Sequence, residues 1–142
     1  PAEATQRAIT KGVEYYLANL VDENGLPKPF SKAPRMTVYR RELYDYAECI
    51  NLCVLLRDRC PELQRILKNV VHDLLSRWVK PDGAFRAREL WFGWDNVPMH
   101  RWAQSQVFRS LSLLALPESL STWKSSNMNH LQAYNNKEVV RP

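Results

Sequence analysis

The chain has 142 residues, of which 45% are hydrophobic and 25% charged. That is enough for one compact domain with a core, too little for two ordinary domains, and too apolar for global disorder. Lys and Arg number 20 against 15 Asp and Glu, a net charge of +5. That excess suits an anionic partner (acidic glycan, phosphorylated substrate, nucleic acid or acidic surface) without choosing among them.

In chain order, apolar residues at Ile9, Val13, Tyr16, Leu17 and Leu20 predict a first helix over 3–20. Gly25, Pro27, Pro29 and Pro34 make the next stretch a loop. A second helix is expected over 42–57, with Leu43, Tyr46, Ala47, Ile50 and Val54 on one face. Pro61 suits a first helical turn. A third helix then runs to about Val79, with Leu63, Ile66, Leu67, Val70, Val71, Leu74, Leu75 and Trp78 inward. Pro81-Asp82-Gly83 is a turn, and 84–99 reads as loop with a short extended piece near 84–90. A fourth helix is expected over 100–116, with Val107, Phe108, Leu111, Leu114 and Ala115 inside. The pattern then dissolves into polar residues, so 118–142 is expected to be an extended or flexible tail.

Two segments resemble each other. Each ends a helix on an apolar residue, turns at Gly25 or Gly83, crosses a long loop, and opens a helix with Tyr46-Ala47-Glu48 or Trp102-Ala103-Gln104. Self-similarity at this period predicts stacked helical hairpins, with repeats over about 6–58 and 61–117 of one domain spanning 1–117. The expected fold is therefore all-α: antiparallel helical hairpins with long loops gathered at one rim. Loops of that length usually serve a function.

Trp78, the run Pro81-Asp82-Gly83-Ala84-Phe85 and the looser Asn24-Gly25-Leu26 resemble the repeat unit of α/α-toroid proteins. These include the terpenoid cyclase and prenyltransferase barrels and the six-hairpin glycoside-processing enzymes. The run from Met99 to Gln104 is similar to a helix start in toroid-like proteins of bacterial polysaccharide gene clusters. The resemblance covers about Gln6 to Leu116 and implies a partial toroid and a carbohydrate-related role. The Asp-rich motifs of terpenoid and prenyl transferases are absent, which counts against that branch. A full toroid needs roughly twelve helices, so the resemblance implies the end of a longer protein (a missing N-terminal remainder), an assembly of several chains (a homo-oligomer), or a small relative that stops early.

Candidate site residues lie at the predicted rim. Asp45 and Glu48 open the second helix and could serve as general acid and base on a glycan. Dipole-stabilising acids paired to Arg40 or Arg41 are the plainer explanation. His100, Arg101 and Gln104 open the fourth helix, His100 being the general-base candidate, against a structural hydrogen-bonding histidine. Trp91, Phe92, Trp94 and Trp102, with Arg86, Arg88 and Glu89 nearby, could stack on sugar rings and grip carboxylates or phosphates. Alternatively they form a small core for the loop. Arg40 and Tyr46 extend this set in the first loop.

Cys49, Cys53, Cys60 and His72 match no common zinc spacing and read as small buried hydrophobes. No metal and no cofactor is expected, since Gly-rich phosphate loops and nucleophile elbows are missing. Three cysteines without a disulfide framework point to a reducing, cytoplasmic setting. No stretch approaches the ~18 apolar residues of a membrane span. The leading expectation is a protein that binds or processes an anionic glycan or glycan precursor. A non-catalytic scaffold comes second and nucleic-acid binding third.

Overall fold

The computed structural model describes residues 2–32, 36–97 and 102–116. Among the described residues are four α-helices, α1 (Glu3–Asn19), α2 (Leu43–Leu56), α3 (Glu62–Asp73) and α4 (Trp102–Ala115). Three short strands join them: β1 (Tyr39–Glu42), β2 (Arg88–Leu90) and β3 (Gly93–Asp95). The expected tail over 118–142 lies outside the described residues.

The all-α expectation, with a partial toroid of two hairpin repeats and long rim loops, is corrected. The two long loops pair into one antiparallel sheet of order β1-β2-β3, and the domain is mixed α/β. Hydrophobic alternation could not announce β1 and β2, because their inward positions are charged. The register sets Arg41, Glu89 and Trp94 in one cross-strand row, and Glu42, Arg88 and Asp95 in the next. Adjacent rows point to opposite faces of a sheet. Arg41 and Glu89 are therefore directed inward, where they satisfy each other rather than bury apolar surface. An irregularity between Tyr39 and Arg41 leaves Arg40 outside the ladder and turns Tyr39 and Arg41 to opposite faces.

The core is centred on α2. Leu43, Tyr46, Ala47, Cys49, Ile50 and Cys53 are buried there, against Leu63, Ile66, Val70 and Leu74 on one side and Ala103 and Val107 of α4 on the other. The Ser110 hydroxyl donates to the Ala47 carbonyl at 2.9 Å, tying α4 to α2 at the depth of the core. Helix α1 contributes only half-buried side chains, Val13, Tyr16 and Leu17. Phe108 and Ala115, expected inside, are exposed on the outer face of α4.

The third helix departs from its expected form at its end. Leu74–Trp78 is a π-helical turn, one residue wider than an α turn. The extra residue swings Leu75, expected inward, out to 53% exposure. It also sets Trp78 above Asp73, five residues back, so that the indole Nε1 donates to Asp73 Oδ2 at 3.1 Å.

The similarity between the two segments has a backbone counterpart. The amides of Asp22, Gly25 and Lys28 donate to the carbonyls of Leu26, Asp22 and Leu20. The amides of Lys80, Gly83 and Arg86 donate in the same pattern to Ala84, Lys80 and Trp78. Gly25 and Gly83 sit at φ of 78° and 83°, a region costly for any residue with a Cβ. Their surroundings differ. A Cβ on Gly25 would come within 2.9 Å of Asn69 Nδ2, which donates to the Asn24 carbonyl, whereas Gly83 faces open space. Gly83→Ala should therefore cost about 1 kcal/mol from backbone strain alone, and Gly25→Ala clearly more. Urea denaturation of the two variants checks this; equal losses would remove Asn69 from the explanation.

Candidate functional site

A chain of alternating charges ties the first turn to the sheet and to the end of α3. Asp22 Oδ1 accepts the amides of Asn24 and Leu26, each at 2.9 Å, which fixes the first turn. Its other oxygen pairs with Arg41. Arg41 also donates to Glu89 Oε2 at 3.1 Å, and Glu89 Oε1 accepts from Arg77 at 2.6 Å. Arg77 continues to Asp73 Oδ1 at 3.1 Å, and Asp73 Oδ2 accepts from the Tyr46 hydroxyl at 2.7 Å and from Trp78. Glu89 is 6% exposed, so its charge depends on these guanidinium groups rather than on water. Burial alone would raise the Asp73 carboxyl, but the donors Tyr46, Arg77 and Trp78 outweigh it and hold its pKa below the usual carboxylate range. Burial, and then the Asp73 carboxylate, push the Tyr46 phenol up, so it stays a proton donor.

Outside this chain lies a cleft of about 280 Å³ between the first turn and the β1–β2 edge. Lys28, Phe30, Tyr39, Arg40 and Trp91 supply its cations and rings. The Trp91 indole is fixed by donating to the Thr37 carbonyl at 2.8 Å, and the Arg40 guanidinium stands 5.6 Å from its ring centroid. Arg40 approaches Glu89 only to 3.9 Å and keeps 46% of its side chain exposed, while Lys28 has no ion pair among the described residues. Arg41 and Asp22 also line the cleft, but they are committed to the charge chain.

The sequence-based site residues divide into groups. Arg40 and Trp91 meet in the cleft. Arg86 and Trp94 sit together outside the cleft lining, the guanidinium 5.0 Å from the ring, with Arg77 also over Trp94 at 5.4 Å and Trp78 edge-on at 5.1 Å. Trp94 is thus engaged by its own neighbours. Arg88 pairs with Glu42 at 2.8 Å and covers Tyr39. Tyr46 is buried beneath the sheet, out of reach of a solute. Gln104 clamps the second turn, accepting from the Phe85 amide at 3.0 Å and donating to its carbonyl at 2.7 Å. Trp102 is exposed at the start of α4. His100 and Arg101 lie outside the described residues. Lys28 and Phe30 were not foreseen: a lysine between two prolines and a phenylalanine in the same proline-rich loop carry no periodic signal.

Asp45 and Glu48 do not form a matched pair. Glu48 is exposed on α2. Asp45 is half-buried near the start of the same helix, with Oδ2 lacking a partner among the described residues. Burial first, and then the Glu42 carboxylate, raise its pKa from 3.8 to about 6, against a hydrogen bond from the Glu42 amide. No family model, curated protein or solved structure matches this chain. The chemistry of the site therefore rests on its own geometry.

Two measurements follow from this geometry. Glu89→Gln leaves two guanidinium groups facing a neutral amide, one of them largely buried, and should cost about 3 kcal/mol. Arg40→Gln, on the half-exposed flank, should cost under about 1 kcal/mol. Chemical denaturation of both checks the order; a reversed order would remove Glu89 from its central place. Asp45 binds its proton more tightly folded than unfolded. Its contribution is complete below about pH 4 and is lost as pH rises through about 6. Asp45→Asn should abolish that decline, worth on the order of 2 kcal/mol between those limits. Parallel declines in both proteins would assign it to another group.

Proposed function

We propose that this protein binds an anionic saccharide in the cleft beside β1, with Trp91 as the stacking platform and Arg40 and Lys28 gripping the acid group. One observation carries the reading. Two cations with incompletely used donors and a hydrogen-bond-anchored indole line the same cleft. Aromatic faces suit the apolar face of a sugar ring, and guanidinium and ammonium groups suit carboxylate or phosphate. Its volume, about 280 Å³, lies at the lower edge of the ~300–1,000 Å³ typical of ligand sites. That leaves room for about one sugar residue, with further residues running out into solvent.

The reading is one of binding. Asp22 is the one carboxylate among the cleft's lining residues, and Arg41 and two backbone amides already occupy it. Both of its oxygens are thereby engaged in holding the turn and Arg41.

A second reading, a helical interaction module, draws on Trp102 and Phe108. Both are more than 70% exposed on α4, a large apolar surface for a soluble helix face. In that reading Phe108→Ser abolishes self-association in sedimentation velocity and leaves ligand binding intact.

Calorimetric titration with a short uronic-acid oligosaccharide, and with its carboxyl-reduced neutral counterpart, tests the saccharide reading. The acidic ligand should bind at least about tenfold more tightly, and Arg40→Gln and Trp91→Ala should each weaken it by about tenfold. Equal binding of the neutral sugar, or indifference to both substitutions, would falsify it.

A further inference from the structure

The sheet is chemically ordered along its strands. At one end, the β2–β3 turn presents Trp91 and Phe92, and Phe92 is fully exposed. The chain entering β1 brings Met36 and Val38 to the same end, since Trp91 donates to the carbonyl of Thr37 between them. Met36 is 92% exposed and Val38 73%. Basic residues stand next along this axis. Arg40 lies against Trp91, and Lys28 faces it across the cleft. Arg88, ~7 Å behind the tip at strand spacing, stands in the row of Glu42 and Asp95 and is paired to Glu42, so Arg40 and Lys28 are the cations behind the tip. The acids of this outer face, Glu42 and Asp95, occupy the row at the opposite end.

We propose that this tip is an interfacial anchor for an anionic phospholipid bilayer. Met36, Val38, Trp91 and Phe92 enter the boundary between headgroups and acyl chains, while Arg40 and Lys28 meet lipid phosphates. Bilayer-surface elements bury their apolar part about 5–10 Å deep, and basic residues near an anionic surface are attracted to it. The order found here, apolar tip first and cations behind it, matches that layering. A protein groove is the less suitable occupant. Protein interfaces place apolar residues in a patch ringed by polar groups, whereas here apolar residues and cations follow one another along one axis. The inference goes beyond the saccharide reading and does not rest on it.

Co-sedimentation of the full chain with lipid vesicles tests it. Vesicles of phosphatidylcholine mixed with phosphatidylglycerol should carry the protein down, and vesicles of phosphatidylcholine alone should not. Added salt should weaken the association. Phe92→Ser should reduce partitioning by about tenfold, and Met36→Ser should reduce it as well. Both positions are exposed, so circular dichroism should be unchanged. Titration of Phe92→Ser with the acidic oligosaccharide keeps the two proposals apart, because Phe92 does not line the cleft. Three results overturn the anchor: no sedimentation with either vesicle, which leaves the tip to a protein groove; equal sedimentation with both; or full binding retained by both serine variants.

Discussion

A carboxylate in the interior cannot stand alone, and Glu89 shows how much structure that constraint can organise. Its two oxygens are taken by Arg41 and Arg77, which arrive from β1 and from the end of α3. Each arginine is in turn anchored by an aspartate, Asp22 in the first turn and Asp73 on α3. Segments far apart in sequence are thereby held at one place by a strict alternation of sign. Such a chain adds little net stability over a well-packed apolar core, because desolvation consumes much of the Coulomb attraction. What it supplies is register: a slip of one residue in β1 or β2 would turn an inward charge outward and leave its partner buried.

The cleft depends on that fixed register. Arg41 is held inward, and the irregularity beside it leaves Arg40 free to lie over Trp91. Cations that stabilise the fold and cations that are available to a ligand are thus neighbours in sequence with opposite environments. Trp94, bracketed by Arg77 and Arg86 and edge-on to Trp78, belongs with the first group. Trp91 belongs with the second.

Helices were readable from the sequence because their inner faces are apolar at helical spacing. α1, α2 and α4 begin and end within about two residues of expectation. The two glycine turns were readable too, since only glycine suits their φ values. The sheet was not. Arg41, Glu89 and Arg88 look like loop residues, and pairing between strands so distant in sequence leaves no local mark. The same blindness affected the site. Trp91 and Arg40 stood out by residue type, whereas Lys28 and Glu89 acquire meaning only once the strands are aligned. Tyr46 was expected among the ligand-binding residues, but its place on the apolar face of α2 already implied burial.

The π-helical turn at Leu74–Trp78 gives the stretch between Asp73 and Gly83 an arithmetic character. Each residue in a helix advances the direction of the chain by about 100°. Removing one residue there would restore a regular helix and carry Arg77 and Trp78 round its axis, away from Asp73 and Glu89. Side chains on the outer surface can drift in identity at little cost, but the number of residues in this interval is fixed by the angle it must deliver. In lineages descended from this sequence, substitutions should accumulate here while insertions and deletions are purged.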